Sequence, residues 1–289
     1  MSQSTPTSAI RYVTPGASRW LFDVFRYRHL LSLLLKKGTT TRYYGSVLGW
    51  TWSYVRPAAQ FFMYYFMIGQ VLGMQRSVEL FPIYLFSGIV LLNFFGEATR
   101  AATNSITGNA ALVKKIYLPR ELFPVAAVGS AFIHFIPQVI LLFVVCLFFG
   151  WHFTWLGLLY FAVALIILLV FTLGLGLFFG SINVAYRDAK NIIDVALMFA
   201  VWMSPVLYSH AMIRDVLPAW LYNLYLVNPV TVSVELFHSA FYRPIVPNGV
   251  PVPDYMFTNT LAGLGIAIGT LLIGQVVFRK LEGDFAQDL

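Results

Sequence analysis

The stretch Arg42-Tyr43-Tyr44-Gly45-Ser46-Val47-Leu48-Gly49-Trp50-Thr51-Trp52-Ser53-Tyr54-Val55-Arg56-Pro57 divides the chain into two unlike parts. Before it the sequence is basic and amphipathic; after it the sequence is almost continuously apolar. Aromatic residues crowd the changeover, as they do at a membrane–water boundary, where Trp and Tyr place an apolar body and a polar edge together. The stretch reads as the start of the first transmembrane helix.

Composition agrees. Of 289 residues, 59% are hydrophobic and 11% charged, whereas a soluble domain carries about 25% charged residues. The apolar runs are long and do not alternate with polar residues, so they predict helices rather than the strands of an outer-membrane barrel. The single cysteine, Cys146, lies in an apolar run and has no internal disulfide partner. Residues 1–18 are Ser/Thr-rich without an apolar core, which predicts a disordered cytoplasmic tail and no signal peptide.

Upstream of the quoted stretch, Arg19, Asp23, Arg26, His29, Ser32 and Lys36 recur every three or four residues. Leucines and aromatics fill the other faces. The spacing predicts an amphipathic helix over 19–37 lying in the interface, with a helix packed on a soluble domain as the alternative. Downstream, six spans are predicted at about 50–72, 82–104, 121–149, 155–182, 191–208 and 257–278. Pro124 and Pro137 are expected to kink the third without ending it. Basic residues gather on one side of this arrangement: residues 11–42, then Arg100, Lys114, Lys115 and Arg120, then Arg187 and Lys190, then Arg279 and Lys280. The other side holds Arg76, Arg214 and Arg243. This asymmetry predicts both termini in the cytoplasm, and it accounts for the net charge of +7 without nucleic acid. Between spans five and six, about 217–242 is apolar but broken by Pro218, Asn228 and Pro229, which predicts re-entrant helices; 243–254 reads as a Pro-rich external loop.

Motifs narrow the function. The sequence has no GxxxxGK[ST], HExxH or CxxC, and its five histidines are scattered. ATP hydrolysis by a phosphate loop is therefore not carried here, and no metal site is expected. Gly69/Gly73, Gly176/Gly180 and Gly265/Gly269 have the spacing of close helix packing. The run Asn109 to Arg120 reads as a short amphipathic helix stopped near Pro119, with an ordinary connector as the alternative. Arg56 is a guanidinium inside a span, marking a pathway or a buried partner unless it reaches the surface, and Glu97 is the candidate partner.

These motifs resemble those of ABC-2-type polysaccharide export permeases. Arg42-Tyr43, Gly45-Ser46-Val47-Leu48-Gly49, Trp52 and Pro57 look like that family's first-span signature. Asn109-Ala110-Ala111-Leu112-Val113-Lys114-Lys115 with Leu118-Pro119-Arg120 falls where the family keeps its coupling helix. Asn183-Val184-Ala185-Tyr186-Arg187-Asp188, Ser204-Pro205-Val206 with Tyr208, and Asn228-Pro229 follow in order.

The resemblance implies an all-α membrane protein: a tail at 1–18, an interfacial helix and gate region at 19–45, and an ABC-2 transmembrane domain at 46–289. It implies a homodimer working with a dimer of a separate ATPase, which would carry ATP and Mg, and exporting a polyprenyl-pyrophosphate-linked glycan; actinobacterial galactan export is the nearest resemblance. Asn109, Leu112, Lys114, Lys115, Ile116, Tyr117 and Pro119 would couple to the ATPase. Arg42, Tyr43, Tyr44 and Arg56 would form the substrate gate, where basic groups attract a pyrophosphate. Trp50, Trp52, Tyr54 and Tyr64 would offer flat faces to sugars, or serve as interfacial belt and packing. Tyr186, Arg187 and Asp188 would form a cytoplasmic loop motif. Two rivals stay open: an ABC-2 exporter of drugs or small lipids, and an enzyme acting on lipid-linked sugars. The second would call for clustered carboxylates or a metal, whereas Glu97 and Asp194 stand apart in sequence.

Overall fold

The computed structural model describes residue 21 and residues 23–41, 45–115 and 118–289. Among them every regular element is helical. In chain order these are α1 (Asp23–Arg26), α2 (Arg28–Thr41), α3 (Trp52–Tyr64), α4 (Phe81–Thr103), α5 (Ala110–Lys115), α6 (Leu122–Phe148), α7 (Trp155–Ala185), α8 (Ala189–Trp202), α9 (His210–Arg214), α10 (Ala219–Val227), α11 (Pro229–Phe241), α12 (Met256–Leu281) and α13 (Phe285–Asp288).

Four helices, α4, α6, α7 and α12, are long and apolar enough to cross a bilayer. They match the second, third, fourth and sixth expected spans. The first expected span is α3 continued by a π-helical stretch, Tyr65–Val71, and closed by a turn in which Gly73 takes φ +73°. The fifth differs from expectation. Helix α8 ends at Trp202 after 14 residues, about 21 Å at 1.5 Å per residue and short of a hydrocarbon core of about 30 Å. Pro205 stops it, because proline lacks the N–H and pushes the preceding residue out of helical geometry. Of the amphipathic helix expected over 19–37, residues 19, 20 and 22 lie outside the described residues; the rest form the short α1 and then α2, which begins at Arg28 and runs on to Thr41.

The order of burial follows from side-chain distribution. Helix α4 is apolar on nearly every face and sits at the centre, packed by α3, α6, α7, α8 and α11. Because lipid is as apolar as a helix face, association depends on close fit. The pair α7–α12 shows this: a Cβ added at Gly274 would stand 2.3 Å from the Gly174 carbonyl oxygen. One at Gly176 would stand 2.4 Å from the Ala102 methyl of α4. Gly265 and Gly269, by contrast, have nothing within 4 Å, so their GxxxG spacing is unused inside the chain.

At the end of the bundle where α4 begins, α10 and α11 form a helical hairpin around Asn228, whose Oδ1 accepts from Val230 N at 3.0 Å. All 13 residues of α11 are buried. Buried polar groups there need partners, and most find them within the chain. Glu235 accepts from Arg243 Nη2 at 2.8 Å and meets His210 Nδ1 at 3.1 Å. Arg243 also donates to Pro251 O at 3.1 Å and to Ser239 Oγ. Tyr84 Oη donates to the Pro205 and Tyr208 carbonyls at 2.8 and 3.1 Å, while His238 Nε2 donates to Tyr84 O at 3.1 Å. Tyr242 Oη donates to Glu79 O at 2.7 Å. These bonds tie α4, α9, α11, the α8–α9 break and the loop before α12 into one closed plug.

Candidate functional site

The opposite end of α4 faces open space. Three helices bring polar stripes together there, each at helical spacing: Ser53, Arg56 and Gln60 on α3; Asn93, Glu97 and Arg100 on α4; Ser130, His134 and Gln138 on α6. With Lys37 and Gly38 of α2, and with Asn104, Ser105 and Asn109 beyond α4, they line a cavity of about 780 Å³. On α6 the lining runs from Phe123 to Gln138, 15 residues further on, so the cavity extends about 22 Å along this helix, deep into the bundle.

Local packing fixes the walls. Helix α2 lies on α6 by contacts of small residues: a Cβ at Gly38 would stand 2.5 Å from Ser130 Oγ, and one at Gly129 would stand 2.8 Å from Leu35. Lys37 Nζ donates to Asn109 Oδ1 at 2.8 Å, joining the interfacial helix to the segment before α5, and Asn109 Nδ2 donates to Ser105 O at 2.7 Å. The Arg56 guanidinium lies 5.8 Å from the Trp52 ring centre, within cation–π reach. Arg100 Nε donates to Asp194 Oδ1 at 2.7 Å, pairing α8 with α4. Counting Asp194, three cations (Lys37, Arg56 and Arg100) stand with two carboxylates (Glu97 and Asp194), a net charge of +1 at this site. Deepest in the cavity, Gln138 Nε2 reaches His134 O at 3.4 Å while its Oε1 is buried without a partner among the described residues. That is an acceptor waiting for a donor.

The expected site residues fall into three groups. Arg56, Trp52 and Asn109 line the cavity, and Trp50 packs edge-on against His134 at 5.9 Å. Arg56 and Glu97 share the wall. Tyr54 and Tyr64 are not among the lining residues; Tyr64 packs against the core. The second group holds the residues expected to couple to an ATPase and the loop motif after α7. The short helix expected from 109 is α5, with Leu112 half-buried, Val113 and Pro119 buried, and Lys114 and Lys115 exposed. Tyr186, Arg187 and Asp188 form an exposed turn between α7 and α8, with Asp188 immediately before the first residue of α8. Asn183 Nδ2 anchors that turn to Thr103 O at 3.2 Å. The third group, Arg42, Tyr43, Tyr44, Ile116 and Tyr117, lies outside the described residues.

Sequence reasoning missed the stripe Ser130–His134–Gln138 and its counterpart Asn93–Glu97–Arg100. The signal was available, since both recur at intervals of three or four within apolar spans.

Long apolar helices, a central helix packed on all sides and a deep polar cavity open at one end define a membrane transport protein. Residues 29–242 match the ABC-2 type transporter family, and the chain belongs to it. It is 25% identical over 271 residues to the O-antigen export system permease protein RfbA of Myxococcus xanthus, covering 94% of this chain and 99% of that one. It is 25% identical to RfbA of Klebsiella pneumoniae, over 93% and 96% of the two chains. It is 22% identical to the polysialic acid transport protein KpsM of Escherichia coli, over 84% and 89%. These relatives are transport proteins, in keeping with a permease rather than an enzyme.

Proposed function

We propose that the chain is the membrane subunit of an ATP-driven exporter that carries a polyprenyl-pyrophosphate-linked polysaccharide out of the cytoplasm. The observation that carries this reading is the cavity: Lys37 and Arg56 at its mouth, amide and hydroxyl groups along its depth, and the coupling segment at its rim. A diphosphate is bound by cations and N–H donors. Sugars are bound by amides, hydroxyls and flat rings such as Trp52. A cavity of about 780 Å³ has the size of small-ligand sites, roughly 300–1,000 Å³. It takes a head group with a few sugars; a polymer passes only along a path shared between two copies, so the working unit is a homodimer.

In this reading the basic end is cytoplasmic, both termini with it. The chain crosses six times: α8 with the non-helical segment after it makes the fifth crossing, and α10–α11 enter and leave from the outside. The separate ATPase, holding ATP and Mg, presses on α5 and the 186–188 turn. Its closure drives the change from inward to outward access.

Depletion of the chain tests the proposal. The expected result is cytoplasmic accumulation of a lipid-linked polymer, together with co-purification of an ABC ATPase. Unchanged polymer export with loss of small-lipid or drug efflux would overturn it in favour of the rival exporter. Arg56→Ala is expected to reproduce the accumulation at normal protein level.

A further inference from the structure

We propose that Glu121 and Glu282 form a proton-binding site at the joint between the start of α6 and the end of α12. Glu121 is fully buried, and Gln275 of α12, 3% exposed, donates from Nε2 to Glu121 Oε1 at 3.1 Å. One residue earlier, the Arg120 guanidinium lies 5.5 Å from the Phe285 ring centre. Residues 120 and 121 therefore hold the chain on both sides of Glu282. Glu121 Oε2, Gln275 Oε1 and Glu282 Oε2 are all buried and accept no hydrogen bond from the described residues. Such acceptors are costly to leave bare. A proton on Glu282 removes one of the two like charges that act on each other at this joint and turns that carboxyl into a hydrogen-bond donor.

The surrounding charges favour a proton over a metal ion. Arg120 and Arg279 already face Glu282, and their positive charge repels a further cation. Lys114 and Lys115 of α5, Asp284 just before α13 and Asp288 within it are exposed. Glu282 lies just beyond α12; burial and the charge of Glu121 push it up to about 7, against the pull of Arg120 and Arg279.

On the proposed function, the joint connects the segment on which the ATPase acts to a rigid helix pair. Glu121 follows directly on the 109–120 segment, whereas α12 is locked to α7 by the Gly174–Gly274 contact. With the proton in place the segment is fastened to the α7–α12 pair. Without it two like charges, one fully buried at Glu121 and one half-buried at Glu282, repel each other at the joint.

The test uses the whole chain in detergent, with Tm and infrared difference spectra followed between about pH 6 and pH 8. The ordinary carboxyl value is 4.5 and the folded value about 7. Over that interval the folded chain holds more protons than the unfolded one. Stability therefore falls as pH rises and levels off above about 7. The wild-type chain is expected to lose a carboxylic-acid carbonyl band and to drop in Tm over this range. Glu282→Gln removes the band and that share of the drop, whereas Asp284→Asn keeps both. Glu121→Gln, which removes the like charge, moves the midpoint to lower pH. A Glu282→Gln chain with the wild-type band and slope would overturn the proposal. If that variant does not fold, an unmoved midpoint in Glu121→Gln would do the same. Neither readout depends on transport.

Discussion

The two ends of α4 carry similar residues in opposite states. At its start, Tyr84 lies against His238 with ring centres 3.9 Å apart, and its hydroxyl is held by backbone carbonyls. The acids and bases around it, Glu235, His210 and Arg243, are bound to one another. Toward its other end, Asn93, Glu97 and Arg100 line a cavity. Polar groups packed into the core close a structure; polar groups that border a cavity, even with a partner in the chain as Arg100 has in Asp194, keep a face toward a ligand. The chain thus holds one end sealed and the other open, the arrangement that the proposed uptake of cargo from the basic side requires.

The difference can be broken first at the sealed end. Glu235→Ala leaves Arg243 as a buried, uncompensated charge, and removing one partner of a buried pair costs about 3–5 kcal/mol. The expected outcome is poor recovery of folded protein, or a Tm several degrees lower. A variant as stable as wild type would show that the plug is not held by this pair. Next in size is Gly274→Ala, whose methyl meets the Gly174 carbonyl; overpacking of this kind costs about 1–3 kcal/mol. Gly269→Ala, with open space around it, is the control and should stay within about 0.5 kcal/mol. At the open end, Asp194→Asn removes an ion pair whose side chains are 51% and 55% exposed. Thermal unfolding should register about 0–1 kcal/mol. An effect as large as that of Glu235→Ala would erase the contrast between the two ends.

The sequence was legible where length and uniformity decide. The spans at 82–104, 121–149, 155–182 and 257–278 each correspond to one long helix, because an unbroken apolar run has few other structures in lipid. It was less legible where a single residue breaks the pattern. The run 191–208 is apolar enough to read as a span, but Ser204-Pro205 ends α8 early. The site was half visible. Arg56 stood out as a charge in a span, and Asn109 as part of a motif. The aromatic rings misdirected attention: Trp52 faces the cavity, while Tyr64 is absorbed into packing. Rings look alike in a sequence whether they bind, anchor or pack. The stripe Ser130–His134–Gln138 was present in the spacing, yet its meaning depends on α3 and α4 facing it, which no local pattern reveals.

The most direct measurement is cysteine accessibility in a Cys146→Ala chain, with reporters placed at Ser130, Gln138 and Ser239. Oriented vesicles would be treated with a membrane-impermeant thiol reagent in the absence of nucleotide. Ser130→Cys and Gln138→Cys are expected to react from the side bearing α5, and Ser239→Cys from neither side. Reaction of Ser239→Cys from the opposite side, with Gln138→Cys protected, would contradict a molecule open at its basic end and sealed at the other.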